Sequence, residues 1–98
     1  MLTLSSTQRR FLRAQAHHLS PVIMIGDAGL SAAVMKETAG ALKAHELIKI
    51  KVMNDDRAER EAMLASICDT LKASSVQHLG KMLVVYKPAA TPIIKLPR

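Results

Sequence analysis

Aromatic residues are nearly missing from this sequence. It has one Phe, one Tyr and no Trp in 98 residues. Leu, Ile, Val, Met and Ala must therefore fill the core around Phe11 and Tyr86, and a row of aromatic platforms for stacking single-stranded bases is not available. Cysteine is scarce too: Cys68 stands alone, which excludes an intrachain disulfide and fits a reducing compartment. No apolar run approaches the ~20 residues that cross a bilayer. The first residues lack the basic start, apolar stretch and small-residue cleavage site of a secretory signal. The expected location is the cytoplasm, with no membrane partner. Acidic residues are few, eight Asp and Glu against fourteen Lys and Arg, leaving a net charge of +6. A small domain so charged suits a polyanion.

Hydrophobic residues make up 49% of the chain, ample for a packed interior. Residues 1–98 are expected to form one domain, with 88–98 as an extended, proline-containing tail lying along the body. Ser5-Ser6-Thr7-Gln8 reads as a capping box, opening a helix that should run to about His18 before Pro21. Phe11, Leu12, Ala16 and Leu19 share one side of it; Arg9, Arg10, Arg13 and His17 share another. The run Val22-Ile23-Met24-Ile25 suits a strand covered on both faces or at least well shielded. Ser31 can cap a second helix whose inner side carries Val34, Met35, Thr38, Ala41, Leu42 and His45, with Lys36 and Lys43 pointing away. "ELIKIKVM" alternates, so Ile48, Ile50 and Val52 share one face and Lys49 and Lys51 a basic, half-open one. Asp56 can cap a third helix, with Glu59 in the reciprocal position and Met63, Leu64, Ile67, Cys68 and Leu71 as its stripe. "SVQHL" and "MLVVYKP" read as strands joined through Gly80-Lys81. The order α-β-α-β-α-β-β implies an α/β fold, a two-layer sandwich in which helices two and three cover one face of a four-stranded mixed sheet. The place of the first helix stays open.

Gly26-Asp27-Ala28-Gly29 follows a strand and opens a helix. Two glycines let backbone N–H groups converge on an anion, and the helix start adds unpaired donors and a positive dipole end. An ordinary strand-to-helix turn would read the same way. A dinucleotide fingerprint lacks its leading glycine here, and no Gly-Lys-Ser/Thr makes a Walker loop. Arg9, Arg10 and Arg13 precede the loop, as backbone recognition of nucleic acid requires; a solvated helix face is the bland alternative. His17, His18, His45, His78 and Cys68 show no metal-ligand spacing, and no acid–base pair or nucleophile constellation emerges. Neither a metal, a cofactor, a small-molecule substrate nor catalysis is expected.

Those residues carry a resemblance. "LSSTQRRFLR", "HLSP", "IGDAGL", "HELIKIKV", "GKMLVVYKP" and the closing "KLPR" follow in the order of the CRM domain, the RNA-binding module of chloroplast RNA splicing and ribosome maturation. The sequence is similar to the single-domain bacterial, YhbY-like members over nearly its whole length. The resemblance implies a fold like the C-terminal domain of the third translation initiation factor, and a GxxG loop like that of KH domains, which clamps the nucleic-acid backbone. It implies no enzyme, and work on precursors of the large (50S) ribosomal subunit. Carried over by position, Gly26, Asp27, Ala28 and Gly29 form the RNA-binding loop. Arg9, Arg10, Arg13 and Lys36 neutralise phosphates nearby, with Lys49, Lys51 and Lys81 in a second tier. Asp27 is an oddity, because an acid facing a phosphate weakens the site. The rival expectation is a protein-interaction module on ribosome precursors that touches RNA little. A Gly29→Asp change is expected to lower RNA affinity while sparing stability.

Overall fold

A computed structural model describes residues 2–98. Its elements follow the expected order: α1 (Ser6–Ala16), β1 (Ile23–Ile25), α2 (Ala32–His45), β2 (Leu47–Val52), α3 (Arg57–Leu71), β3 (Ser74–Leu79) and β4 (Met82–Tyr86). Each helix starts where a short polar side chain satisfies its orphan donors. Ser5 accepts from the Gln8 N–H at 3.1 Å while Gln8 returns a bond to the Ser5 N–H at 3.0 Å, so the capping box is complete. Ser31 accepts from the Val34 N–H. Asp56 accepts from Ala58 and Glu59. Glu59, expected to return a bond to Asp56, instead accepts from the Asn54 side chain, whose own oxygen takes the Asp56 N–H. Asn54 is the better-placed partner because it lies outside the helix and can present both its donor and its acceptor to the first turn.

The strands form one mixed sheet in the order β1-β2-β4-β3. β1 and β2 are parallel, with Ile23 opposite Ile50 and Ile25 opposite Val52. β4 lies antiparallel to both β2 and β3, and a bulge between Ser75 and Gln77 shifts the β3 register.

Two cores result, one on each face. Ile23, Ile25, Ile48, Ile50, Val52, Leu83 and Val85 meet Leu42 of α2 and Leu64, Ile67 and Cys68 of α3. On the other face Leu47, Val84 and Tyr86 meet Leu4, Leu12 and Ala16, with Ile94 and Leu96 of the tail packed against them. The sandwich of sheet, α2 and α3 is thus as expected, and α1, whose place the pattern left open, covers part of the opposite face together with the tail.

The exceptions are local. α1 stops at Ala16, and Leu19 lies beyond it, exposed, because the chain has left the helical path that would have aimed it inward. His45, at the last turn of α2, is exposed rather than inward. β1 is not covered twice. Ile23 and Ile25 are buried, but Val22 and Met24 are 49% and 61% exposed, since β1 is an edge strand and α1 does not extend over it.

Candidate nucleic-acid interface

The loop between β1 and α2 is held by few bonds. The Gly29 N–H donates to the Gly26 carbonyl and the Ser31 N–H to the Gly29 carbonyl, each at 3.0 Å. Gly29 sits at φ 71°, a left-handed backbone that an L side chain resists, so the turn itself requires glycine there. Gly26 differs: its φ is ordinary, and a Cβ added to it would meet nothing within 4 Å. The fold gives no reason for glycine at 26. The N–H groups of Asp27 and Ala28 donate to no backbone or side-chain acceptor among the described residues, and they stand beside the exposed start of α2. Asp27 is exposed and makes no ion pair among the described residues, its carboxylate unconstrained by the turn.

Neighbouring bonds place three loops at the same end of the sheet. The Met53 N–H donates to the Ile25 carbonyl and the Val52 N–H to the Lys81 carbonyl, each at 2.8 Å. The Gly80-Lys81 hairpin and the segment leading into α3 therefore lie beside the glycine loop. Lys81 is paired with Asp55 at 2.8 Å; its hydrogen bond and charge hold the Asp55 carboxyl below its ordinary range. Lys36, in the second turn of α2, is exposed. Lys49 and Lys51 are half-buried on the sheet face that α1 only partly covers.

The arginines of α1 sit apart from this end. α1 packs over β2, β4 and β3 and leads to the amino end of β1, whereas the glycine loop leaves the carboxyl end of β1. Arg9 is half-buried, and its Nε donates to the Ser75 carbonyl at 3.3 Å, tying α1 to β3. Arg10 and Arg13 are exposed. Arg9 thus lies at the β3 edge of the sheet, the glycine loop leaves the β1 edge, and Lys49 and Lys51 stand on β2 between them.

Sequence reasoning missed two polar clusters. Arg60, 7% exposed on the α3 stripe, donates through Nη1 to the Asn54 carbonyl at 2.8 Å and through Nε to His78 Nε2 at 3.2 Å. His78 Nδ1 is bonded to Glu61, and this bond, against a smaller opposing effect of desolvation, holds the Glu61 carboxyl below its ordinary range. The cluster pins β3 to α3. The second is Glu46, fully buried, with a backbone φ of 63°. Burial pushes its carboxyl up, but N–H donors from Ala89 (2.7 Å), Ile94 (2.8 Å) and Ile93 (3.0 Å) outweigh that and leave its pKa lowered. The tail is therefore wrapped around a carboxylate. Cys68 is buried, and desolvation raises its thiol pKa, as suits a small core residue.

Element order, mixed sheet and strand–loop–helix unit define a small α/β module with basic groups on its surface. Its family is equally plain. Residues 4–87 match the model of the CRS1/YhbY (CRM) domain, and the chain belongs to that family. An "RNA-binding protein" of Haemophilus influenzae is 45% identical over 98 residues, spanning 100% of this chain and 99% of the relative. The probable RNA-binding protein YqeI of Bacillus subtilis is 34% identical over 84 residues, 86% of this chain and 88% of its own. The solution structure of a hypothetical protein from Staphylococcus aureus, a candidate RNA binder, superposes with a TM-score of 0.85 at 28% identity, over 97% of this chain and 100% of that one.

Proposed function

We propose that this protein binds structured ribosomal RNA through its phosphates and acts in the cytoplasm during assembly of the large ribosomal subunit. The observation that carries the reading is Gly26. Neither its backbone angle nor its surroundings demand a missing side chain, and without one the loop is open to close approach by an external backbone. The unengaged N–H groups of Asp27 and Ala28 and the start of α2 supply donors at that place. Exposed Arg10, Arg13 and Lys36, with Arg9, supply charge. Members of the family being RNA-binding proteins agrees with this reading.

Gradient sedimentation of a lysate at low magnesium, following this protein, tests the proposal. Comigration with immature large-subunit particles is expected, lost as salt rises. Sedimentation with small free proteins at every salt would remove the ribosomal reading. With purified RNA, neutralisation of four phosphates gives a slope of log affinity against log salt of about −3. A slope near zero, with retention on the particles, would favour a module that docks on ribosomal proteins instead.

A further inference from the structure

Exposed large apolar side chains are not scattered evenly over this molecule. Met24 (61% exposed) lies opposite Lys51, Lys51 opposite Met82, and Met82 opposite Leu79 (63% exposed), a row crossing all four strands on the face that α1 leaves open. One step down the β1–β2 pair the pattern repeats. Val22, 49% exposed, donates its N–H to the Lys49 carbonyl at 3.0 Å. Each step of this ribbon offers one apolar side chain beside one lysine. Two residues along a strand span about 6.6 Å, close to the spacing of successive phosphates in an extended nucleic-acid strand. Below the second step the ribbon runs into a cleft of about 390 Å³ between the end of α1, β2 and the tail, walled by Leu19, Val22, Leu47 and Ile94 and rimmed by Gln15 and Lys49. Above the first step it ends at the glycine loop, since β1 leads directly into Gly26.

We infer that the β1–β2 ribbon is a track for an unpaired RNA segment, running from the glycine loop past Met24–Lys51 and Val22–Lys49 into the cleft beside Leu19. The inference rests on the RNA-binding reading above and narrows its substrate to a helix with an adjoining single strand. Charge decides the class of occupant: Lys51 stands within the apolar row and Lys49 beside Val22, where an apolar protein surface would leave them buried without partners, whereas phosphates complement them. The lack of aromatics limits what each base gains. Thioether and aliphatic side chains pack against the base faces with little preference among bases, so the track reads strandedness rather than sequence.

The test uses the full chain and two synthetic RNAs, a blunt hairpin and the same hairpin with a short single-stranded tail, with affinities measured by fluorescence anisotropy at fixed salt. The tailed RNA should bind about tenfold more tightly, a difference of about 1.4 kcal/mol. Met24→Asp, an exposed position that folding tolerates, should abolish that preference and leave the blunt hairpin within about twofold, whereas Gly26→Asp should weaken both RNAs alike. Lys49→Gln with Lys51→Gln should reduce the salt slope on the tailed RNA by about 1.4, at about 0.7 per single-strand phosphate, and shrink the preference for the tail. Equal affinity of the native chain for both RNAs, with the Gly26→Asp loss intact, would overturn the track and keep the RNA-binding reading. No binding to either RNA would overturn both. A preference for the tail that survives Met24→Asp and the lysine changes would place the single strand elsewhere and overturn the track.

Discussion

Gly26 and Gly29 look alike in the sequence and are not alike in the fold. At Gly26 a side chain meets open space on an ordinary backbone, so Gly26→Asp should change stability by no more than about 0.5 kcal/mol while lowering RNA affinity at least tenfold. At Gly29 the left-handed φ adds about 1 kcal/mol to the cost of any L residue, Asp among the milder. The expectation that Gly29→Asp spares stability is therefore corrected, and chemical denaturation of the two variants should separate them. Glu46 makes the other residue-scale prediction. Its pKa is lowered by folding, so its contribution is complete above its unfolded value near 4.5 and is lost as pH falls through the lower folded value. Glu46→Gln keeps the shape and removes the charge. Melting temperatures followed from neutrality into that acid range should fall less steeply for this variant than for the native chain, and its stability at neutral pH should be lower by about 2 kcal/mol, from three backbone donors that lose a charged acceptor. A parallel decline in both proteins would assign the acid sensitivity to other carboxylates.

Helix starts were the most legible elements, because capping is a contact between residues three apart and needs no knowledge of the rest of the chain. Ser5 and Gln8, Ser31, and Asp56 all cap as read. Ser5→Ala should cost about 1 kcal/mol. Gln8 also donates to the Pro97 carbonyl at 3.1 Å, joining α1 to the end of the chain. Gln8→Ala should therefore loosen residues 88–98 as well, measurable as faster amide exchange at Ala89, Ile93 and Ile94 in Gln8→Ala but not in Ser5→Ala. Strands were legible where one face is buried. The alternation in "LIKIKV" gave β2 its basic face correctly. In β1 the four-residue apolar run hid an edge strand, since periodicity over so few residues cannot tell one covered face from two.

At the scale of the whole molecule, the second core is the feature that most affects stability beyond the helix–sheet layer. Leu12 is fully buried there against a sheet face that would otherwise be open. Leu12→Ala should cost about 3 kcal/mol, which in a chain of this size lowers the melting temperature by on the order of 15 °C. The tail and α1 share that core, so thermal unfolding read at α1 and at the tail should coincide in the variant. The basic surface obeys the same geometry. Covering only part of the second face, α1 leaves Lys49 and Lys51 on β2 only half-buried.

The sequence by itself determined the element order, the helix caps, the stripes of α2 and α3, the alternation of β2 and the family, because each of these is written in neighbours within a few positions or in the order of short motifs. Only the tertiary structure decided which face α1 covers, that β4 lies between β2 and β3, that Glu46 is buried and clasps a tail more than forty positions onward, and that Val22 and Met24 stand exposed beside two lysines. The reason is physical: these outcomes depend on contacts between distant segments, whose cost in chain entropy and gain in buried surface are settled by the whole packing arrangement and leave no local periodicity to read.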